Sequence, residues 1–215
     1  MRMITIDFLG DSITAGAGAS FPSSCYVSLV NENPHIKAKN YGIGGARLAH
    51  QKNGEGDLYE PYCFLNRIKG LGEADVLYVF GGTNDYGHGD AKMGKLGDTD
   101  AFTFHGAVRT IIEEVTKKFP VSKVVFILPL PRFNEDDIHG EGLKKTGYPL
   151  SEYRKALIEE VSAKGIRYLD FSREFPRPTS NGNEGYFMDG LHPNDKGHAL
   201  LASLLVKDIK DHYCC

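Results

Sequence analysis

The chain has no tryptophan and only four cysteines in 215 residues. Cys25 and Cys63 stand far apart and Cys214 and Cys215 are adjacent, so no C-x-x-C pair suggests a zinc site and no spacing suggests a disulfide framework. Neither a metal nor another cofactor is expected. Without tryptophan the usual platform for stacking a sugar ring is missing, although eleven tyrosines can serve. No uninterrupted apolar stretch reaches about 18 residues, which argues against a membrane span. Charge of one sign is also lacking: the formal net charge is -3 and no Lys/Arg cluster interleaves with aromatics, so nucleic acid is not an expected partner. Arg2 is the only early positive charge, and the apolar run behind it is too short for a cleavable leader. The expected location is the cytoplasm.

What is present is enough for one core. At this length, 41% hydrophobic residues favour a single domain over residues 1–215. Short runs rich in β-branched and aromatic residues predict strands at Met3–Leu9, Ile36–Tyr41, Asp75–Phe80, Ser122–Leu128 and Ile166–Phe171. Apolar stripes at helical spacing predict helices at Phe21–Val30, Leu58–Leu71, Phe102–Phe119 and Leu150–Lys164, and a last one carrying Leu201, Leu205 and Ile209. Pro61 and Gly70 weaken the second of these. Tyr86–Asp100 and Pro129–Pro149 read as long loops. Alternating strands and helices imply parallel strands joined by right-handed crossovers. The expected fold is a three-layer α/β/α, doubly wound, five-stranded parallel sheet of flavodoxin-like order 2-1-3-4-5, with ligands bound where strands 1 and 3 end.

Ser12 lies directly behind the first strand, in Gly10-Asp11-Ser12, and Asn84 directly behind the third, in Gly82-Thr83-Asn84-Asp85. Taken alone, Ser12 reads equally well as a turn or helix-capping residue. Gly-x-Ser-x-Gly fails because Thr14 replaces the second glycine, and Gly-x-Gly-x-x-Gly fails at Phe21 and at Arg47. Gly89–Lys95 nearly spells a phosphate-binding loop, but Leu96 stands where Ser or Thr is required. Glu135, Asp136, Asp137 and His139 share a loop, where crowded carboxylates are usually just solvated.

Acyl transfer by serine needs a base, a group that orients the base, and donors aimed at the developing oxyanion. His192 can be the base and Asp189, three residues before it, can hold its other ring nitrogen. The Ser12 N–H, the Gly45 N–H and the Asn84 amide can be the donors. Arg47, Tyr86, Phe133 and Tyr148 lie on loops expected to open onto this site and to contact substrate. His198 reads as a packing residue, and His88 and His105 as pocket lining at most.

Gly10-Asp11-Ser12, Gly45, Gly82-x-Asn84-Asp85 and Asp189-x-x-His192 together resemble the four blocks of the SGNH (GDSL-type) hydrolases, in order and along the whole chain. The resemblance implies an esterase with Ser12 as nucleophile, Gly45 and Asn84 in an oxyanion hole, and Asp189 and His192 completing a triad. The substrate implied is a small-molecule carboxylic ester. A short acyl chain on a sugar or small alcohol is favoured, since no large apolar stretch announces a long acyl groove. A lysophospholipase or thioesterase of the same family is the alternative, and a flavodoxin-like module that binds without turnover is the reading from another class.

Overall fold

The computed structural model describes residues 2–51, 60–138, 147–180 and 185–213. His139 and the Cys214–Cys215 pair lie outside the described residues, as do the polar stretch expected as a loop at 53–57 and the first residues of the helix expected from Leu58.

β1 (Ile4–Gly10) is followed at once by a single helical turn, α1 (Ser12–Ala15), and then by α2 (Tyr26–Asn31) and β2 (Ile36–Gly42). After β2 come α3 (Phe64–Arg67), β3 (Val76–Phe80), α4 (Thr83–His88), α5 (Phe104–Thr116) and β4 (Val124–Ile127). The order ends with α6 (Leu150–Ala163), β5 (Arg167–Leu169) and α7 (Asp195–Tyr213). All strand pairs are parallel, and their order is β2-β1-β3-β4-β5, as the alternation predicts.

Both faces of the sheet are covered, which is why β3 and β4 read as unbroken apolar runs and β1 is interrupted only by Thr5 and Asp7. Ile6, Phe8, Val76, Tyr78, Phe80, Val125 and Ile127 face α2 and α7, meeting Tyr26, Val30, Leu201, Leu205 and Ile209. Their neighbours Leu9, Leu77, Val79, Val124 and Phe126 face the opposite way, onto α3, α5 and α6. This is the period of two expected of a strand with a core on each side. The edge strands β2 and β5 are more exposed and carry Lys37, Lys39 and Arg167, which discourage pairing with another sheet.

Several boundaries differ from expectation for local reasons. The helix expected at 21–30 is split by a 3-10 turn at Pro22–Ser24. Residues 60–70 break into Glu60–Tyr62, α3 and Ile68–Gly70, as Pro61 and Gly70 would dictate. Tyr86 starts no loop: it lies inside α4, a helix too short to show a periodic stripe. No helix among the described residues is long and apolar enough to cross a membrane.

Candidate active site

β1 and β3 deliver the first two components. Asp11 caps α1, its Oδ1 accepting the Ile13 N–H at 3.0 Å, and this sets Ser12 at the first helical position. Burial pushes the Asp11 carboxyl up to about 7, against the opposing pull of the Ile13 N–H, His192 and Arg67. Arg67 reaches from α3 to the ends of β1 and β2, donating to Gly10 O at 2.9 Å and Tyr41 O at 2.6 Å.

Ser12 Oγ lies 3.0 Å from His192 Nε2, and His192 Nδ1 lies 2.7 Å from Asp189 Oδ2. A carboxylate only accepts, so Nδ1 carries a proton and Nε2 is left to accept from the serine hydroxyl. Asp189 also fixes its own turn: Oδ1 accepts from the backbone N–H of Leu191 at 3.1 Å and of His192 at 2.7 Å. Burial raises the Asp189 carboxyl, but the backbone and ring hydrogen bonds from His192, helped by Leu191, outweigh it and hold the group below the usual carboxylate range. The turn is seated against the loop that follows α1. A β-carbon on Gly18 would stand 2.1 Å from Pro193 O and 3.2 Å from His192 Cβ, and its φ of +91° is one that glycine adopts without strain.

The groups expected as oxyanion donors lie at the start of α1, in the glycine loop and at the start of α4. Ser12 N–H is one of the groups a helix start leaves without an intrahelical partner. Gly45 holds φ +74° in the glycine loop. Neither N–H enters a hydrogen bond among the described residues. The loop runs beside the serine, since a β-carbon on Gly44 would lie 4.0 Å from Ser12 Cβ. α4 grips this same loop: Asn84 Nδ2 donates to Ala46 O at 2.9 Å, and the two Asp85 oxygens accept from Leu48 and Ala49 N–H, each at 2.9 Å. Burial pushes Asp85 up to about 6 despite those two hydrogen bonds and the nearby Arg47 charge.

The structure thus brings Ser12, Gly45, Asn84, Asp189 and His192 together, and it does not bring all the expected substrate contacts to them. Arg47 and Tyr86 are buried. Arg47 donates to His88 O at 3.4 Å, and the Tyr86 hydroxyl donates to the carbonyls of Asn134 and Asp137. Tyr148 is exposed but borders a separate pocket of about 290 Å³, with Leu96, His105 and Lys155. Phe133 is beside the site: its N–H donates to Gly190 O at 3.0 Å and its ring fills the space a Gly190 side chain would need. His198 is fully buried, its Nδ1 accepting from Tyr26 N–H and its Nε2 lying 3.1 Å from Ala17 O, and burial lowers its pKa. His105 lies 3.0 Å from Glu160. In the 131–138 loop, Glu135 pairs with Arg154 and Asp136 with Arg177. Among the described residues no three His, Cys, Asp or Glu side chains gather as metal ligands.

Sequence reasoning missed the clasp between α4 and the glycine loop. Asp85 adjoins Asn84 and His88 is one helical turn beyond it, so a helix assigned directly after β3 would have put all three on view.

A five-stranded parallel sheet with a serine behind its first strand and an Asp-x-x-His turn ahead of its last helix has the architecture of the SGNH hydrolases. The chain belongs to a family within that class: residues 8–200 match the GDSL-like Lipase/Acylhydrolase family, and the protein is a hydrolase of this type. It is similar in structure to a protein from Lactobacillus plantarum, with 26% identity, 99% of each chain covered and a TM-score of 0.79. A possible lipase from Chitinophaga pinensis is 25% identical, with 99% of this chain and all of that one covered and a TM-score of 0.71. A lipase/acylhydrolase from Enterococcus faecalis, 23% identical with 98% and 96% of the chains covered and a TM-score of 0.66, shares the fold. No curated protein matches the chain.

Proposed function

We propose that the protein is a serine esterase, acting as one domain, that cleaves a carboxylic ester through an acyl-enzyme on Ser12. The observation that carries this reading is the unbroken run from Ser12 Oγ through His192 to Asp189, at 3.0 Å and 2.7 Å. Oγ attacks the ester carbonyl as Nε2 takes its proton, and the oxyanion is received by the Ser12 and Gly45 N–H groups and the Asn84 amide. Collapse of the tetrahedral intermediate breaks the bond to the alcohol oxygen, which leaves with the proton from Nε2. Water, deprotonated by the same nitrogen, then releases the acid and restores Ser12.

The substrate we propose is a short acyl group on a sugar or small alcohol. A groove of about 390 Å³ beside the glycine loop supports this, because Ile43 is the one aliphatic side chain among the residues that line it.

The test is a panel of esters of increasing acyl length, run with wild type and Ser12→Ala, together with a fluorophosphonate label located by mass spectrometry. Expected results are labelling at Ser12, no turnover in the variant, and acetyl and butyryl esters outpacing acyl chains of about ten carbons. Label elsewhere with Ser12 untouched would refute the mechanism. Rates that climb with chain length would replace the substrate assignment with a lysophospholipase or long-chain thioesterase.

A further inference from the structure

Asn84 presents an amide whose oxygen and nitrogen have nearly the same shape, and only its nitrogen can donate to an oxyanion. Something must therefore fix which way the amide faces. One partner is Ala46 O, 2.9 Å from Nδ2. The other is His88, four residues on and on the same side of α4, with Nε2 3.2 Å from Asn84 Oδ1.

The protonation of His88 at this contact follows from its second neighbour. Arg47 NH1 lies 3.4 Å from His88 Nδ1, and a guanidinium nitrogen has only hydrogens to offer. Nδ1 therefore accepts, and the proton of the neutral ring sits on Nε2. There it donates to Asn84 Oδ1. A flipped amide would face its nitrogen to the Nε2–H and its oxygen to Ala46 O, opposing donor to donor and acceptor to acceptor. The series Arg47 to His88 to Asn84 to Ala46 has one consistent polarity, and it leaves the second hydrogen of Nδ2 for a ligand beside Ser12.

We propose that His88 is a positioning residue for the hydrolytic reaction, holding the Asn84 amide with its nitrogen toward the oxyanion. The proposal rests on the esterase reading above. His88 itself touches neither the serine nor the oxyanion, so its removal should be felt in turnover and not in substrate affinity.

The experiment is a double-mutant cycle on Asn84 and His88, with ester hydrolysis and thermal melting measured for each variant. Asn84→Ala is expected to lower kcat by roughly 100- to 1000-fold, as loss of one oxyanion donor does. His88→Ala should lower kcat by about 10-fold, leaving KM within about twofold and the melt close to wild type. In the Asn84→Ala background the same change should alter kcat by less than about twofold, because there is no amide left to orient. His88→Gln, whose side-chain nitrogen can replace the Nε2–H donor, should recover most of the loss. His88→Asn, which can still accept from Arg47 but does not reach Asn84, should not.

Full additivity in the cycle, an unchanged kcat in His88→Ala, or rescue by Asn as good as by Gln would overturn the proposal. A Ser12→Ala variant that still turned over ester would mark a failure of the esterase reading instead. Loss of turnover in Ser12→Ala beside full activity in His88→Ala would reject the positioning role alone.

Discussion

The two sides of Ser12 are built differently. On the donor side, Asp11, Asn84 and Asp85 are 1%, 6% and 3% exposed, and each is tied to backbone groups of another segment or of a helix start. On the acid–base side the Asp189 and His192 side chains are 42% and 20% exposed and belong to one turn, stiffened mainly by Asp189 itself. The contrast matches the work that the proposed mechanism gives each side. Oxyanion donors act best when they need no reorganisation, which a buried, cross-linked wall supplies. A group that gives and takes protons must keep contact with water and with the leaving group, and a surface turn allows that.

The sharpest way to break the comparison is Asp189→Asn. If the turn owes its function to the carboxylate, an amide can present a donor to Nδ1 and force the wrong tautomer, and kcat should fall by up to about 10⁴-fold with little change in the melt. Turnover within about threefold of wild type would show that the backbone of the turn orients His192 unaided.

Gly18→Ala probes the seat of the same turn. A β-carbon 2.1 Å from Pro193 O has to push the loop or the turn aside, and φ +91° adds strain of about 1–2 kcal/mol. Displacing His192 by about 1 Å should cost roughly 100-fold in kcat. A lowered melting temperature with kcat intact would mean that the close approach serves stability only.

Asp11→Asn tests the buried wall, and its effect is the smallest because it is read in stability. The Asp11 carboxyl is raised to about 7 in the folded chain against an ordinary value of 3.8. A raised acid favours the folded state at low pH, and that advantage is lost as pH climbs through the window between those values, by on the order of a few kcal/mol. Asparagine keeps the acceptor for Ile13 N–H and does not titrate. The variant should therefore gain stability relative to wild type as pH rises from about 4 to about 7, and parallel melting curves for the two proteins across that range would contradict it.

The predictability of each part from sequence follows the same division. β3 and β4 stand out because burial on both faces leaves no polar position to interrupt them, β1 stands out by its β-branched and aromatic residues despite Thr5 and Asp7, and the alternation of strands with helices suits the observed sheet order. Ser12 and Asn84 could be placed because each follows such a strand. α1 and α4 were hidden, being four and six residues long and without a repeating stripe. The burial of Arg47 and Tyr86 was not legible for a related reason: position near a strand end says which edge a residue occupies, not whether its side chain turns inward to bond α4 or the carbonyls of the next loop. Tyr148 belongs to a segment whose course is set by α6, which no local pattern discloses.

Ser12 and His192 are separated by 180 residues, and the hydrogen bond between them is made only when α7, against which α2 packs, has been laid on the sheet. During synthesis, which proceeds at about 5–20 residues per second, the segment bearing the serine and its donors emerges well before the segment bearing the base. On the proposed mechanism, ester cleavage is thus withheld from any form in which this hydrogen bond is not made. The onset of turnover in a refolding reaction should coincide with the docking of α7, making the substrate itself a reporter of that closure.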